Sequence, residues 1–476
     1  MSRNGSGTYS LPAGNPVVTG TTITSSWANT TMQNIADGLT QSVASDGQTP
    51  MSGALNMATN KITSLGTPTI ATDAATKAYV DLTQTASGIT GGTITGATLT
   101  NDTIDSTPIG STTRSTVKAT TLDLGLSTQS VAIGQGNASI MKNRIINGAM
   151  VIDQRNAGAS VTQTTSTIYT LDRWNCYGTV ASKFTVQQSS TAPVGFVNSA
   201  LITSSSAYSV GSGEIFQFVQ PIEGYNVADL NWGSANAKTV TLSFWVRSSL
   251  TGTFGGAIQN SAGNRSYPFS YTISSANTYE QKSVTITGDT TGTWLTTNGV
   301  GMYLYFGLGV GSTFSGTAGS WAASDFHSVT GATSVVGTSG ATFLLTGVQI
   351  EVGSSSTGYE YRLYNQELSA CQRYYWQASY QSTNTRFGMG TAADSIVDGF
   401  QTPVPVSLRT QPTVAISNIG LYDGTSTYTI TSLSTNYSNG TLVSAQITPS
   451  SSITAGKAVQ LYAINSSAVI SASAEL

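Results

Sequence analysis

Residues 239–247, "TVTLSFWVR", alternate without a break. Successive side chains of a strand point to opposite sides. Val240, Leu242, Phe244 and Val246 therefore share one face, and Thr241, Ser243, Trp245 and Arg247 the other. Two further stretches keep this period. Residues 301–310, "GMYLYFGLGV", set Met302, Leu304, Phe306 and Leu308 against Tyr303 and Tyr305, and residues 344–353, "LLTGVQIEVG", align Val348, Ile350 and Val352. With Gly/Ser/Asn turns between them, such strands predict a β-sandwich over residues 139–365.

Composition agrees. Only 9% of the 476 residues are charged, against roughly 25% in an ordinary soluble domain. Disordered chains pair high charge with few aromatics, whereas this chain has 21 Tyr and 7 Trp. The formal charge of −3 and the lack of a Lys/Arg stripe argue against nucleic acid as a partner. No apolar run is long enough to span a bilayer, and "MSRNGSGTYSLPAG" lacks the apolar core of a signal peptide. Two cysteines, Cys176 and Cys371, make no disulfide framework and are expected as buried thiols.

Residues 1–45 read as a Gly/Pro-rich arm and one helix. Ser25 or Ser26 stands at the expected cap, and Ala28, Met32, Ile35, Leu39 and Val43 recur at spacings of four, three, four and four. The apolar stripe is as narrow as a coiled-coil seam, and the plainer alternative is a small core helix. In the next segment, residues 46–85, Asp73 is expected to cap a short helix ending near Tyr79 and Val80.

Residues 46–81, "DGQTPMSGALNMATNKITSLGTPTIATDAATKAYVD", closely resemble a module recurrent in bacteriophage tail-fibre proteins, in which "MSGxLNM" and "NKI" precede "LGxPxxxTDAATKAYVD". The arm "YSLPAGNPVVTGTTITSSWAN" is similar to the virion-proximal end that often stands before it. Together the likeness covers most of residues 8–81. It implies a homotrimeric virion appendage, assembled in the host cytoplasm and joined to tail or other virion proteins through Trp27, Met32, Ile35 and Leu39.

Between residues 86 and 138 the rhythm changes to fives. Ile89, Ile94, Leu99, Ile104 and Ile109 form a row, and Thr93, Thr98, Thr103 and Pro108 each precede one of its members. One large apolar side chain per unit cannot build a core alone. The expectation is a fibrous β shaft with these residues on a shared axis; the alternative is a flexible Gly/Thr linker.

The sandwich strands "TLSFWVRSS" and "FLLTGVQIEVG" resemble those of jelly-roll carbohydrate-binding modules, and "NRIINGAMVIDQR" with "YTLDRW" is similar to the start of such domains in phage structural proteins. Residues 366–476 read as a smaller β-rich domain. It opens on a helix in "YNQELSACQRYYWQ" with Leu368, Cys371 and Tyr375 in line, and three prolines mark edges or loops. Its "ELxxCQRYY" and "LRTQPTV" elements resemble the distal part of phage fibres. The fold class expected overall is mainly β: arm and short helices, fibrous shaft, jelly-roll sandwich and small terminal β domain, in an elongated trimer.

Catalytic patterns are scarce. His327 is the only histidine, and no nucleophile elbow, paired-cysteine, zinc-protease or phosphate-loop motif occurs. No metal or cofactor is expected; Asn101, Asp102 and Asp105 read as turn residues. Glycoside hydrolysis needs two carboxyls at a set separation. Glu214, Glu223, Glu280, Asp289 and Asp325 all lie in the sandwich, so a polysaccharide depolymerase stays open as the enzymatic alternative. Saccharide binding asks for less: an aromatic face beside polar groups. Trp245, Arg247, Tyr303 and Tyr305 are the candidates, against the alternative that they face a second core or a trimer interface. The favoured function is host attachment by a tail fibre through surface saccharide, without catalysis. A head or neck fibre with no receptor of its own is the structural alternative.

Overall fold

The computed structural model describes residues 16–40, 54, 57–78, 80 and 142–476 except 383. The chain divides into two compact units, Met1–Thr121 and Leu122–Leu476. The five-residue repeat, with Ile89, Ile94, Leu99, Ile104 and Ile109, lies outside the described residues, as does Val43.

In the first unit, α1 runs Ser25–Thr40. Neither serine caps it: the Thr24 hydroxyl accepts from the Trp27 N–H at 3.3 Å, one residue earlier than the sequence suggested. Trp27 and Ile35 are half-buried, while Met32 and Leu39 are 67% and 69% exposed. Asp73 does not cap a helix ahead of it either. Its carboxylate turns back to the N–H groups of Thr69 (2.7 Å) and Ile70 (3.1 Å), which hold it below the usual carboxylate range. An aspartate bonded backwards closes a turn, and the helical residues that follow begin at Lys77.

The second unit opens with two six-stranded sheets packed face to face. Sheet one runs, edge to edge, β1 (Val161–Thr162), β4 (Phe184–Ser189), β5 (Ser199–Ser204), β14 (Thr342–Val352), β7 (Val240–Ser248) and β10 (Glu280–Ile286). Sheet two runs β2 (Ile168–Leu171), β3 (Trp174–Gly178), β6 (Ile215–Glu223), β11 (Val300–Val310), β8 (Gly252–Gln259) and β9 (Ser266–Ile273). Every ladder in both sheets is antiparallel, and the chain crosses repeatedly between them, a jelly-roll type of sandwich. A short parallel ladder, β12 (Ser315–Gly316) with β13 (Ser328–Val329), lies outside sheet two.

The alternation read from the sequence is the alternation of the core. Val240, Leu242, Phe244 and Val246 of β7 are fully buried; opposite them lie Met302, Leu304, Phe306 and Leu308 of β11. Phe244 meets Phe306 edge to face, and Trp174 stacks on Phe218 at 5.0 Å. The "NG" of the opening motif is structural. Buried Asn147, at φ 58°, ties the turn through the carbonyls of Ile152 and Asp172. A Cβ on Gly148 would stand 2.2 Å from the Val348 carbonyl oxygen, so only glycine fits there.

A second helix, α2 (Tyr364–Gln372), leads out of the sandwich. The expected line of Leu368, Cys371 and Tyr375 is not its buried face. The helix stops at Gln372, Tyr375 enters a strand, and Glu367, Cys371 and Tyr374 are the buried residues. Both cysteines are buried free thiols, and burial pushes Cys176 up to about 12.

The remaining strands form a three-stranded sheet, β15 (Tyr375–Ser379), β23 (Val469–Ser473) and β18 (Thr413–Ser417), and a closed six-stranded barrel. The barrel order is β16 (Arg386–Ala393), β17 (Ile396–Pro403), β21 (Leu442–Pro449), β20 (Thr427–Asn436), β19 (Ile419–Tyr422) and β22 (Ala458–Ala463). Pro403 ends β17, Pro405 lies between strands and Pro412 directly precedes β18, all places where a missing N–H costs no ladder bond. Glu475 locks this part to the sandwich through Arg155 (3.0 Å) and the buried Arg173. Arg409 adds bonds to the carbonyls of Ala474 (2.8 Å) and Glu475 (2.7 Å).

Candidate functional site

The four aromatic and basic candidates divide between opposite outer faces of the sandwich. Trp245 and Arg247 lie on sheet one. The Arg247 Nε–H donates to the Asn277 carbonyl at 2.8 Å, and Trp245 flanks Phe196 over Gly347, where any Cβ would strike both rings. Tyr303 and Tyr305 lie on sheet two, stacked at 5.5 Å. Tyr305 is only 5% exposed: the His327 ring covers it at 4.3 Å and its hydroxyl donates to Gln259. Its half-exposed neighbour Tyr303 is the accessible ring of the pair.

His327 is a bridge. Its Nδ1 lies 2.7 Å from the Gln217 amide oxygen and its Nε2 2.9 Å from Asp325. Asp325 also accepts from Gln259, and the His327 contact holds its carboxyl below the usual range. This network braces the 312–330 segment across sheet two, beside Tyr305.

The other four carboxyls weighed as glycosidase acids are similarly engaged. Glu214 accepts from the Gly211 N–H and the Tyr208 hydroxyl, and is lowered by them. Glu280 is lowered first by Lys282 at 2.6 Å. Burial pushes Asp289 and Glu223 up, but hydrogen bonds outweigh it and both end low: Arg265 and Trp294 hold Asp289, and Arg373 and Tyr374 hold Glu223. A glycosidase acid needs a raised pKa; none of these five has one, whereas burial raises two sandwich carboxyls outside that set, Asp153 and Asp172.

One concavity beside the sandwich was not revealed by local sequence pattern. A groove of about 580 Å³ opens between the start of the sandwich, a turn after β6, and α2. One wall is residues 143–146, held by Glu360 and Arg362: Glu360 accepts from the Asn143 N–H (2.6 Å), and Arg362 donates to the carbonyls of Ile145 (3.0 Å) and Asn143. The facing wall is the turn Gly224–Asn226, fixed by the Tyr225 N–H to the Thr297 carbonyl (3.0 Å). Gln366, Ala370 and Arg373 close the groove from α2 and its end.

Two rings stand open in this groove, Tyr225 at 61% and Tyr361 at 60% exposure. Tyr361 is oriented from behind: its hydroxyl donates to the Gly195 carbonyl (2.8 Å), and its ring packs with Phe196 and Tyr359 at 5.4 and 4.9 Å. Trp245 flanks that same Phe196, so it supports this aromatic group from sheet one. The charges here are compensated. Arg144 pairs with Asp229 at 2.7 Å, and Arg373 meets the buried Glu223 through Nε (2.9 Å) and Nη2 (2.6 Å). Aromatic planes beside fixed planar polar groups suit a ring with an apolar face and a polar rim. Among the described residues no three His, Cys, Asp or Glu side chains cluster to hold a metal.

No protein-family model matches this chain, and no curated protein matches it. Solved structures match it in part. The enzymatically active domain of bacteriophage CBA120 tailspike protein 4 is 13% identical with a TM-score of 0.24, covering 44% of this chain. The match spans 22% of that protein. A family 11 carbohydrate-binding module from Clostridium thermocellum, in complex with a mixed-linked tetrasaccharide, is 10% identical (TM-score 0.22; 42% of this chain, 98% of that one). A xylan-binding domain from Paenibacillus barcinonensis is 9% identical (TM-score 0.20; 42% and 99%).

Proposed function

We propose that this chain is a bacteriophage virion appendage, a tail fibre that attaches to its host by binding surface saccharide in the groove between Tyr225 and Tyr361. The observation that carries the binding reading is the pair of open rings beside Arg144, Asn226, Gln366 and Arg373. Sugars offer a C–H face to such rings and hydroxyls to such side chains. The virion reading rests on the resemblance of residues 8–81 to phage tail-fibre modules. The exposed Met32 and Leu39 of α1 support it, since an apolar stripe open in one chain suits burial against two more copies or a virion socket. Three weak sites held at fixed spacing would then act by avidity. Tyr303 provides a second, smaller aromatic surface on sheet two.

Adsorption competition tests this. Host cells pre-coated with the purified chain should adsorb fewer phage particles in a dose-dependent way. A double variant, Tyr225→Ala with Tyr361→Ala, should fail to block while keeping the wild-type circular dichroism. Intact, folded protein that never blocks would replace this reading with a structural head or neck fibre.

A further inference from the structure

We infer that the groove selects saccharides bearing an exocyclic carbonyl oxygen, as an acetamido or carboxylate group, over those with hydroxyls alone. This deepens the groove reading and rests on it. The fold leaves an unequal set of side-chain donors and acceptors uncommitted in the groove. Asp229 engages Arg144 through Nη2, leaving Nη1. Glu223 engages Arg373 through Nε and Nη2, again leaving Nη1. Gln366 spends its amide oxygen on the Leu363 N–H (3.3 Å) and keeps its Nε2 donors.

The acceptors fare differently. Glu360 is taken by the Asn143 N–H and by Arg362, and Asn143 Oδ1 accepts from the N–H groups of Ile145 and Ile350. Asn226 Oδ1 is the amide oxygen left over, since its Nδ2 is the atom that reaches Tyr374. Among the side chains that line the groove, two guanidinium nitrogens and an amide nitrogen are thus left uncommitted against one amide oxygen and the Tyr225 hydroxyl, which can both donate and accept. A hydroxyl both donates and accepts, so it wastes its proton among donors. A carbonyl or carboxylate oxygen only accepts, and bonds from charged donors are the stronger kind. Because each arginine is already paired, the preference is for an acceptor atom and does not require net negative charge.

The test is calorimetric titration of the full chain with three tetramers: N-acetylglucosamine, galacturonate and glucose. The expected result is that one or both carbonyl-bearing tetramers bind at least about tenfold tighter than the glucose tetramer, the worth of one hydrogen bond to a charged group. Tyr225→Ala should abolish that binding. Gln366→Glu keeps the oxygen that serves Leu363 and removes the donors, so it should weaken the acetamido tetramer severalfold and the galacturonate tetramer more. Galacturonate binding that falls with salt identifies the carboxylate source; salt-insensitive acetamido binding identifies the other. Equal binding of all three tetramers, lost in Tyr225→Ala, would overturn the carbonyl preference and leave the groove as the site. Failure of both carbonyl-bearing tetramers to bind, or binding that survives Tyr225→Ala, would overturn the preference; in the second case the groove reading falls with it.

Discussion

Strand β7 and helix α1 carry apolar faces of comparable regularity, yet they end in opposite situations. Phe244 is fully buried between Tyr271 and Phe306, while Met32 and Leu39 stand two-thirds exposed. The strand belongs to a unit long enough to fold back and supply its own second sheet. The helix stripe has no such cover among the described residues of its unit. Periodicity reports which face wants burial; only the rest of the assembly decides what buries it.

Substitutions can break or sharpen that contrast. The largest effect is expected for Phe244→Ala, a loss of about 3–5 kcal/mol from a well-packed aromatic core, measured as a shift of the urea midpoint. Arg173→Met at the sandwich–barrel junction comes next. Arg173 is buried against Glu475 and its ring contact Tyr374 (3.6 Å), so removing the charge should cost roughly 3 kcal/mol and raise protease sensitivity near residues 373–380.

Glu223→Gln should cost about 1–3 kcal/mol near neutrality, with a definite pH signature. The folded-state pKa of Glu223 is lowered, so the unfolded chain takes up the proton first. Its stabilisation is complete above about pH 4.3, the ordinary glutamate value, and is lost as pH falls through the folded pKa. Melting curves of the two proteins should therefore converge in acid. The smallest effect is expected for Leu39→Ala, within about 0.5 kcal/mol for the isolated chain. Its consequence should appear in sedimentation, as weaker association at equal concentration. A Leu39 variant as destabilised as Phe244→Ala would show that the helix is packed within its own chain, and the contrast would vanish.

What could be read from residues alone follows the same division. The faces of β7, β11 and β14 were legible because strand burial repeats every second residue. Tyr303 and Tyr305 do lie on the face opposite Met302, Leu304, Phe306 and Leu308, but their pattern could not reveal that His327 and the 312–330 segment would cover one ring and spare the other, leaving Tyr305 in a small second core with Val219 and Ala257. The groove was illegible for a plainer reason. Tyr225, in a single 3-10 turn, and Tyr361, in irregular backbone, lie far apart in sequence and come to line one groove only in the folded chain. The caps misled on a finer scale. Ser25, Ser26 and Asp73 have the right chemistry, but Thr24 and a backward-facing turn use the same chemistry one step away.

The clasp of Asn143 and Ile145 by Glu360 and Arg362 also has a mechanical meaning. The sandwich begins and ends at one corner, where Lys142 reaches the Gly358 carbonyl at 2.8 Å. Tension applied between residue 142 and the barrel beyond α2 would be shared by this clasp and by the Glu475 and Arg373 junctions. Both ends of the sandwich are thus stapled at one corner, so a pull would first have to part these charged side-chain bonds before it could peel a strand.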